Sequence, residues 1–186
     1  SVCTGAAALA REAAGPDRYV LGSIGPYPAL AAEPDCYRET ASFLMAAGVD
    51  ALMLETHTFE QACVALEAIG RPDVPVIVCL FRWPSDPEAM RELIDRGAAA
   101  AGLNCTLGLE RLSETLEGLA GASVPLVARP AAGRPGEMHE GPDAFAAAVG
   151  RLVELGVRMI GGCCGTTEAH VAAIRRALDR PATAMS

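Results

Sequence analysis

Short apolar runs alternate with stretches of helical spacing along this chain, in units of roughly 25 to 30 residues. Tyr19 to Ile24 is a predicted strand, followed by a Gly/Pro loop. Tyr37 to Ala47 carries helical spacing and stops at Gly48. Ala51 to Glu55 is the second strand, and a helix follows over about Phe59 to Ile69. Val74 to Phe81, with its β-branched residues, is the third strand. Ser85-Asp86-Pro87-Glu88 is a helix start, a capping residue followed by proline in the first turn, and that helix ends at Gly97. Ala98 to Asn104 is a fourth strand of small residues. Leu109 to Leu119 is a helix ended by Gly121, and Val124 to Ala128 is the fifth strand. A loop rich in Gly and Pro covers Pro130 to Pro142. Asp143 to Leu155 is a helix ended by Gly156. Val157 to Gly161 is the sixth strand, Thr167 to Leu178 the last helix, and the tail after Pro181 is predicted to fray.

Near-continuous apolar strands alternating with amphipathic helices predict a parallel sheet covered by helices. Six units fit an open doubly wound sheet or most of a (β/α)8 barrel, which closes with eight. No G-x-G-x-x-G follows the first strand, which weakens the dinucleotide-binding version. At 186 residues the chain predicts one domain with a full core, over residues 1–180, with 181–186 as a tail.

Composition removes several function classes. Net charge is −8, which disfavours a nucleic-acid partner. All fifteen basic residues are arginine, so neither a lysine Schiff base nor a lysine general base is available. No apolar stretch approaches the roughly 18 residues a membrane span needs. The N-terminus lacks a signal-peptide pattern, and Ser1 in place of an initiator methionine predicts a processed or cut chain. Seven cysteines in so apolar a chain predict a reducing, cytoplasmic setting rather than a disulfide framework.

Three of those cysteines carry the candidate chemistry. Cys163 and Cys164 stand in Gly161-Gly162-Cys163-Cys164-Gly165-Thr166-Thr167, after the sixth strand, and Cys105 closes the fourth in Gly102-Leu103-Asn104-Cys105. The glycines let the backbone turn sharply enough for adjacent side chains to face one ion. The vicinal pair itself is a poor disulfide. Three thiolates at strand ends suit zinc and leave a fourth tetrahedral position open, the mark of a catalytic site. The competing reading is three buried structural cysteines in an α/β domain, since free cysteine packs well in cores. Cys63, in a helix pattern, and Cys79, in an apolar strand, read as core. Glu55 ends the second strand and, in a barrel, would share the rim of the cysteines; the alternative is an exposed loop residue. His57 reads as a surface group or one supporting the site from behind, less often a ligand. Asn104 either holds the metal loop by hydrogen bonds or shapes a local turn. His139 and His170 receive no role.

Gly-Gly-Cys-Cys-Gly-Thr-Thr at 161–167 with Gly-Leu-Asn-Cys at 102–105 closely resembles the homocysteine S-methyltransferase family. Gly22-Ser23-Ile24-Gly25-Pro26 and Leu54-Glu55-Thr56 match two further segments in the right order. The resemblance covers essentially the whole chain. It implies a (β/α)8 barrel with Zn2+ on Cys105, Cys163 and Cys164, and Glu55 and Asn104 on the substrate side, Glu55 holding the amino group of homocysteine. Asn104-Cys105-Thr106 and Ala128-Arg129-Pro130-Ala131-Ala132-Gly133-Arg134-Pro135 look most like the folate- and cobalamin-linked methionine synthase branch. That branch admits methyltetrahydrofolate, acting through cobalamin, as one methyl donor; the residues themselves leave the donor open.

The chain departs from the family pattern in three places. The first two strands are absent, so the chain reads as strands three to eight, an incomplete barrel expected to be weakly stable or oligomeric with its edges exposed. Pro-Asn-Ala-Gly becomes Pro130-Ala131-Ala132-Gly133, losing a side-chain amide. Thr-Thr-Pro-Glu-His becomes Thr166-Thr167-Glu168-Ala169-His170, losing a proline at the helix start. The implied activity is transfer of a methyl group to the thiol of homocysteine, giving methionine. The alternatives are an inactive or incomplete zinc-binding remnant of the family, and a methyltransferase acting on another thiol.

Overall fold

The computed structural model describes residues 2–27, 34–86, 88–107, 109–119, 121–133 and 140–179. The tail after Pro181, His139, Pro87 and residues 134–139 of the Gly/Pro loop lie outside the described residues. The strands run in sequence order through one six-stranded sheet. The chain divides into two compact units, Ser1–Leu80 with Pro84–Ala101, and Phe81–Trp83 with Gly102–Ser186.

The first unit contains α1 (Val2–Ala14), β1 (Leu21–Ile24), α2 (Pro34–Ala46), β2 (Ala51–His57), α3 (Phe59–Ile69), β3 (Val76–Leu80), α4 (Ala89–Asp95) and the start of β4 (Ala98–Leu107). β1 pairs with β2 and β2 with β3, all parallel. Every residue of β3 is buried, as a parallel strand covered on both faces requires. α3 is set by a capping box at Thr58. The Gln61 N–H donates to the Thr58 hydroxyl at 3.3 Å, and the Thr58 N–H donates to Gln61 Oε1 at 2.9 Å. Its buried face is Ala62, Cys63, Ala65, Leu66 and Ala68, where small side chains flank the one large residue, Leu66. Cys63 and Cys79 are core residues, as the sequence predicts, and burial pushes the Cys79 thiol up to about 12.

The second unit contains the rest of β4, α5 (Leu109–Glu117), β5 (Leu126–Ala131), α6 (Pro142–Ala147), α7 (Val149–Glu154), β6 (Val157–Ile160) and α8 (Glu168–Leu178). β5 and β6 pair in parallel. The single helix expected over Asp143 to Leu155 is two short helices, broken at Ala148 (φ −83°, ψ −3°). Gly150, a poor helix former, weakens the ladder just beyond the break. Gly48, Gly97, Gly121 and Gly156, the expected helix stops, all take positive φ. Among the described residues no helix is long and apolar enough to cross a membrane.

Strands β2, β4 and β5 run further than the sequence suggests. β2 continues to His57 because a bulge at Thr56 lets pairing resume, His57 opposite Leu80. β5 continues through Pro130, which lacks an N–H but still offers its carbonyl to the neighbouring chain.

Candidate metal centre

Close backbone approach brings the ends of β4, β5 and β6 together. A Cβ on Gly102 would overlap the carbonyl oxygen of Val127 and lie 2.6 Å from its carbon, so β4 meets β5 where only glycine fits. Three residues on, Cys105 holds φ at 55°, a left-handed value uncommon for a residue with a side chain. After β6 the chain is pinned to β5 by backbone bonds. The Gly161 N–H donates to the Ala128 carbonyl at 3.0 Å, and the Cys163 N–H to the Pro130 carbonyl at 2.9 Å. The Ala132 N–H donates to the Cys164 carbonyl at 2.9 Å. The Thr166 hydroxyl donates to the Cys163 carbonyl at 2.6 Å and closes the turn. Its side chain lies over Gly162, where a Cβ would come within 2.7 Å of Thr166 Cβ.

The sulfurs of Cys105, Cys163 and Cys164 all lie within 4.8 Å of one another, the group of metal-ligating side chains found among the described residues. Cys105 Sγ is 3.5 Å from Cys164 Sγ. Asn104, 1% exposed, donates from Nδ2 to Cys163 Sγ at 3.7 Å. The sequence predicts three thiolates; in the structure Cys105 and Cys163 are joined as a disulfide, Cα atoms 5.5 Å apart, and Cys164 is free. The pair joins two strands rather than the vicinal residues, whose ring would be strained.

The donor set fits zinc. Tetrahedral zinc about 2.3 Å from each thiolate sets neighbouring sulfurs about 3.8 Å apart; Cys105 and Cys164, at 3.5 Å, are near that spacing, whereas the bonded Cys105–Cys163 pair must open to reach it. Three soft donors favour zinc over hard cations, and binding needs all three as thiolates, so reduction of the Cys105–Cys163 pair precedes it.

In the first unit, the Ser23 hydroxyl donates to Glu55 Oε2 at 2.5 Å, joining the ends of β1 and β2. Thr56 follows with φ 63°, a second left-handed residue with a side chain, and a β-branched one. Of the two readings the sequence gives His57, a surface group or one supporting the site from behind, its burial excludes the first. Once pairing resumes past the bulge its ring packs inward, 5.7 Å from the ring of Tyr37, and it is fully buried. Nδ1–H donates to the Glu55 carbonyl at 2.9 Å, which leaves Nε2 as a buried lone pair with no hydrogen-bond partner among the described residues.

Burial pulls His57 down to about 4 from an ordinary 6.5. Between those values the unfolded chain binds the extra proton and the folded one does not. Stability from a neutral His57 is therefore complete above about pH 6.5 and lost as pH falls toward 4. The loss is up to about 3 kcal/mol. Denaturant unfolding across this range is expected to show that fall in the wild type and a flatter curve in His57→Leu. Parallel curves would contradict it.

His170, given no role from the sequence, is structural. It accepts from the Thr167 N–H at Nδ1 (3.1 Å) and donates from Nε2 to the Glu140 carbonyl (2.8 Å), tying the start of α8 to the loop before α6. A polar residue at the third position of a helix is the signal that marks such a cap.

The sequence pattern of the homocysteine S-methyltransferase family matches residues 1–178. The chain belongs to the homocysteine S-methyltransferase family. It is 30% identical to the methionine synthase of Mycobacterium tuberculosis (strain ATCC 25618 / H37Rv) over an alignment of 203 residues, covering 91% of this chain. Identity to the methionine synthase of Mycobacterium leprae (strain TN) is 32% over 206 residues, covering 92% of this chain. The chain spans 17% of the length of each of these relatives. Among solved structures, the apo homocysteine methyltransferase MmuM of Escherichia coli superposes with a TM-score of 0.70 at 27% identity, over 93% of this chain and 67% of that one. Six parallel strands alternating with helices agree with part of a (β/α)8 barrel, the fold that membership of the homocysteine S-methyltransferase family implies.

Proposed function

We propose that this chain binds and activates homocysteine for methylation to methionine, with Zn2+ on Cys105, Cys163 and Cys164. The observation that carries the reading is the convergence of these three sulfurs, drawn from two separate strand ends. Zinc, when bound, supplies a charge that lets a fourth, substrate thiol lose its proton at neutral pH. The substrate sulfur then takes the methyl group, and the donor's leaving atom keeps the bonding electron pair. Asn104 holds Cys163 Sγ by its amide and steadies the donor set on the substrate side. Glu55 receives the substrate ammonium, a positioning role that the family resemblance implies and that its carboxylate charge suits. No side chain is needed as a general base. The need for three reduced cysteines favours a reducing, cytoplasmic compartment. Likeness to methionine synthases favours a methyl group delivered from methyltetrahydrofolate through cobalamin.

Glu55→Gln is expected to keep the fold and its zinc while raising KM for homocysteine about 10-fold or more at little cost in kcat. Unaltered kinetics, or loss of zinc, would contradict the assignment. The function itself is tested by incubating the reduced, zinc-loaded protein with methylcobalamin and a panel of thiols. Methionine formed from homocysteine, dependent on zinc, is the expected result. Faster methylation of another thiol, or turnover indifferent to zinc removal, would overturn it.

A further inference from the structure

The bulge at the end of β2 sends Glu55 and His57 to opposite faces of the sheet. Gly22 of β1 faces α2, since a Cβ there would lie 3.0 Å from Leu44 Cδ1. Its neighbour Ser23 therefore faces away from α2, and so do Met53, which pairs with Ser23, and Glu55 two residues on. In an unbroken strand His57 would share the face of Glu55. The bulge prevents this. Glu55 stands opposite Cys79 and His57 opposite Leu80, adjacent residues of β3, so Thr56 is the extra residue and the two side chains diverge. Glu55 is half-buried, with its carboxylate on the Ser23 hydroxyl. His57 is fully buried on the other face, against Tyr37 of α2.

We propose that His57 is a positioning residue: it locks the β2 bulge from behind and so aims the Glu55 carboxylate at the ammonium of the amino-acid thiol. The inference rests on the reading of Glu55 as the group that receives that ammonium. Thr56 takes φ 63°, which a β-branched residue adopts only where its surroundings impose it. The bond from His57 Nδ1–H to the Glu55 carbonyl, 2.9 Å, spans Thr56 and closes the bulge. Relaxation of Thr56 to an extended φ would carry residue 57 to the face of Glu55 and take the imidazole from its place against Tyr37. The buried ring thus selects the bulged form. Burial pulls its pKa down to about 4, so at pH 7 it donates this bond without setting a positive charge behind the carboxylate. His57 touches no substrate atom. It holds the Glu55 backbone while Ser23 holds the carboxylate, and a group held in place loses less freedom on binding than one on a strand end free to change register.

The test is calorimetric binding of two ligands to the reduced, zinc-loaded protein: homocysteine and its deamino analogue, a sulfanylbutanoate that keeps the thiol and carboxylate. His57→Leu fills the buried site without the Nδ1–H. It is expected to weaken homocysteine binding about 3- to 10-fold and to leave the analogue and the zinc content unchanged. His57→Met, more adaptable in a core, is expected to do the same. His57→Asn, whose amide N–H can stand where Nδ1–H does, is expected to bind homocysteine within about 2-fold of the wild type. Combining His57→Leu with Glu55→Gln should weaken homocysteine no further than Glu55→Gln alone, because the lock acts through that carboxylate. Equal weakening of both ligands, loss of zinc, His57→Asn no better than His57→Leu, or a double variant in which the two losses multiply would overturn the proposal. Homocysteine binding unchanged in His57→Leu but weakened in Glu55→Gln would overturn it while the reading of Glu55 stands. Homocysteine binding unchanged in Glu55→Gln would overturn both.

Discussion

Gly102→Ala is expected to lower stability by more than about 3 kcal/mol and to abolish the cysteine cluster. The added Cβ would overlap the Val127 carbonyl and stand 2.6 Å and 2.8 Å from the Val127 carbonyl carbon and amide nitrogen. All three are backbone atoms. No rotamer change relieves the overlap, so β4 must move away from β5. Asn104 and Cys105 follow two and three residues later, and they carry the amide and one of the three sulfurs. The variant is expected to show a lower denaturant midpoint and to bind no zinc after reduction. A midpoint and zinc content equal to those of the wild type would show that β4 and β5 do not meet at Gly102.

Loss of any one of the three cysteines is expected to have a comparably large effect on metal and a smaller one on folding. Cys164→Ala leaves two thiolates, and zinc content is expected to fall from about one ion per chain to near none. Cys164 is exposed and free, so its removal opens no cavity. Secondary structure and unfolding midpoint without zinc should stay close to the wild type. Cys79→Ala is the control: Cys79 is fully buried in β3, and its loss should cost stability and leave zinc bound. Equal zinc in the wild type and in the triple alanine variant of Cys105, Cys163 and Cys164 would refute the metal assignment. The contrast between Cys164→Ala and Cys79→Ala separates chemistry from packing within one residue type.

Much of this arrangement is legible in the residues. Gly48, Gly97, Gly121 and Gly156 mark where helices stop and strands follow, because left-handed stops are cheap for glycine alone. The glycines around Cys163 and Cys164 announce a sharp turn at a strand end, and the apolar run of β3 announces a strand buried on both faces. Other features lie beyond local pattern. Thr56 and Cys105 take positive φ although their side chains disfavour it, and only the surrounding packing imposes that conformation. Asn104 meets Cys163 across 59 residues, a pairing fixed by strand order rather than by spacing. The burial of His57 follows from a bulge one residue before it, and a threonine in an apolar strand gives no hint of that bulge. The Cys105–Cys163 pairing is likewise a product of tertiary approach.

The most direct test is X-ray absorption at the zinc edge on the reduced protein, before and after homocysteine is added. Three sulfur donors and one lighter donor are expected in the protein alone, rising to four sulfurs with homocysteine. Fewer than three sulfurs in the protein alone, or a count that homocysteine leaves at three, would contradict a zinc centre on Cys105, Cys163 and Cys164 that takes the substrate thiol.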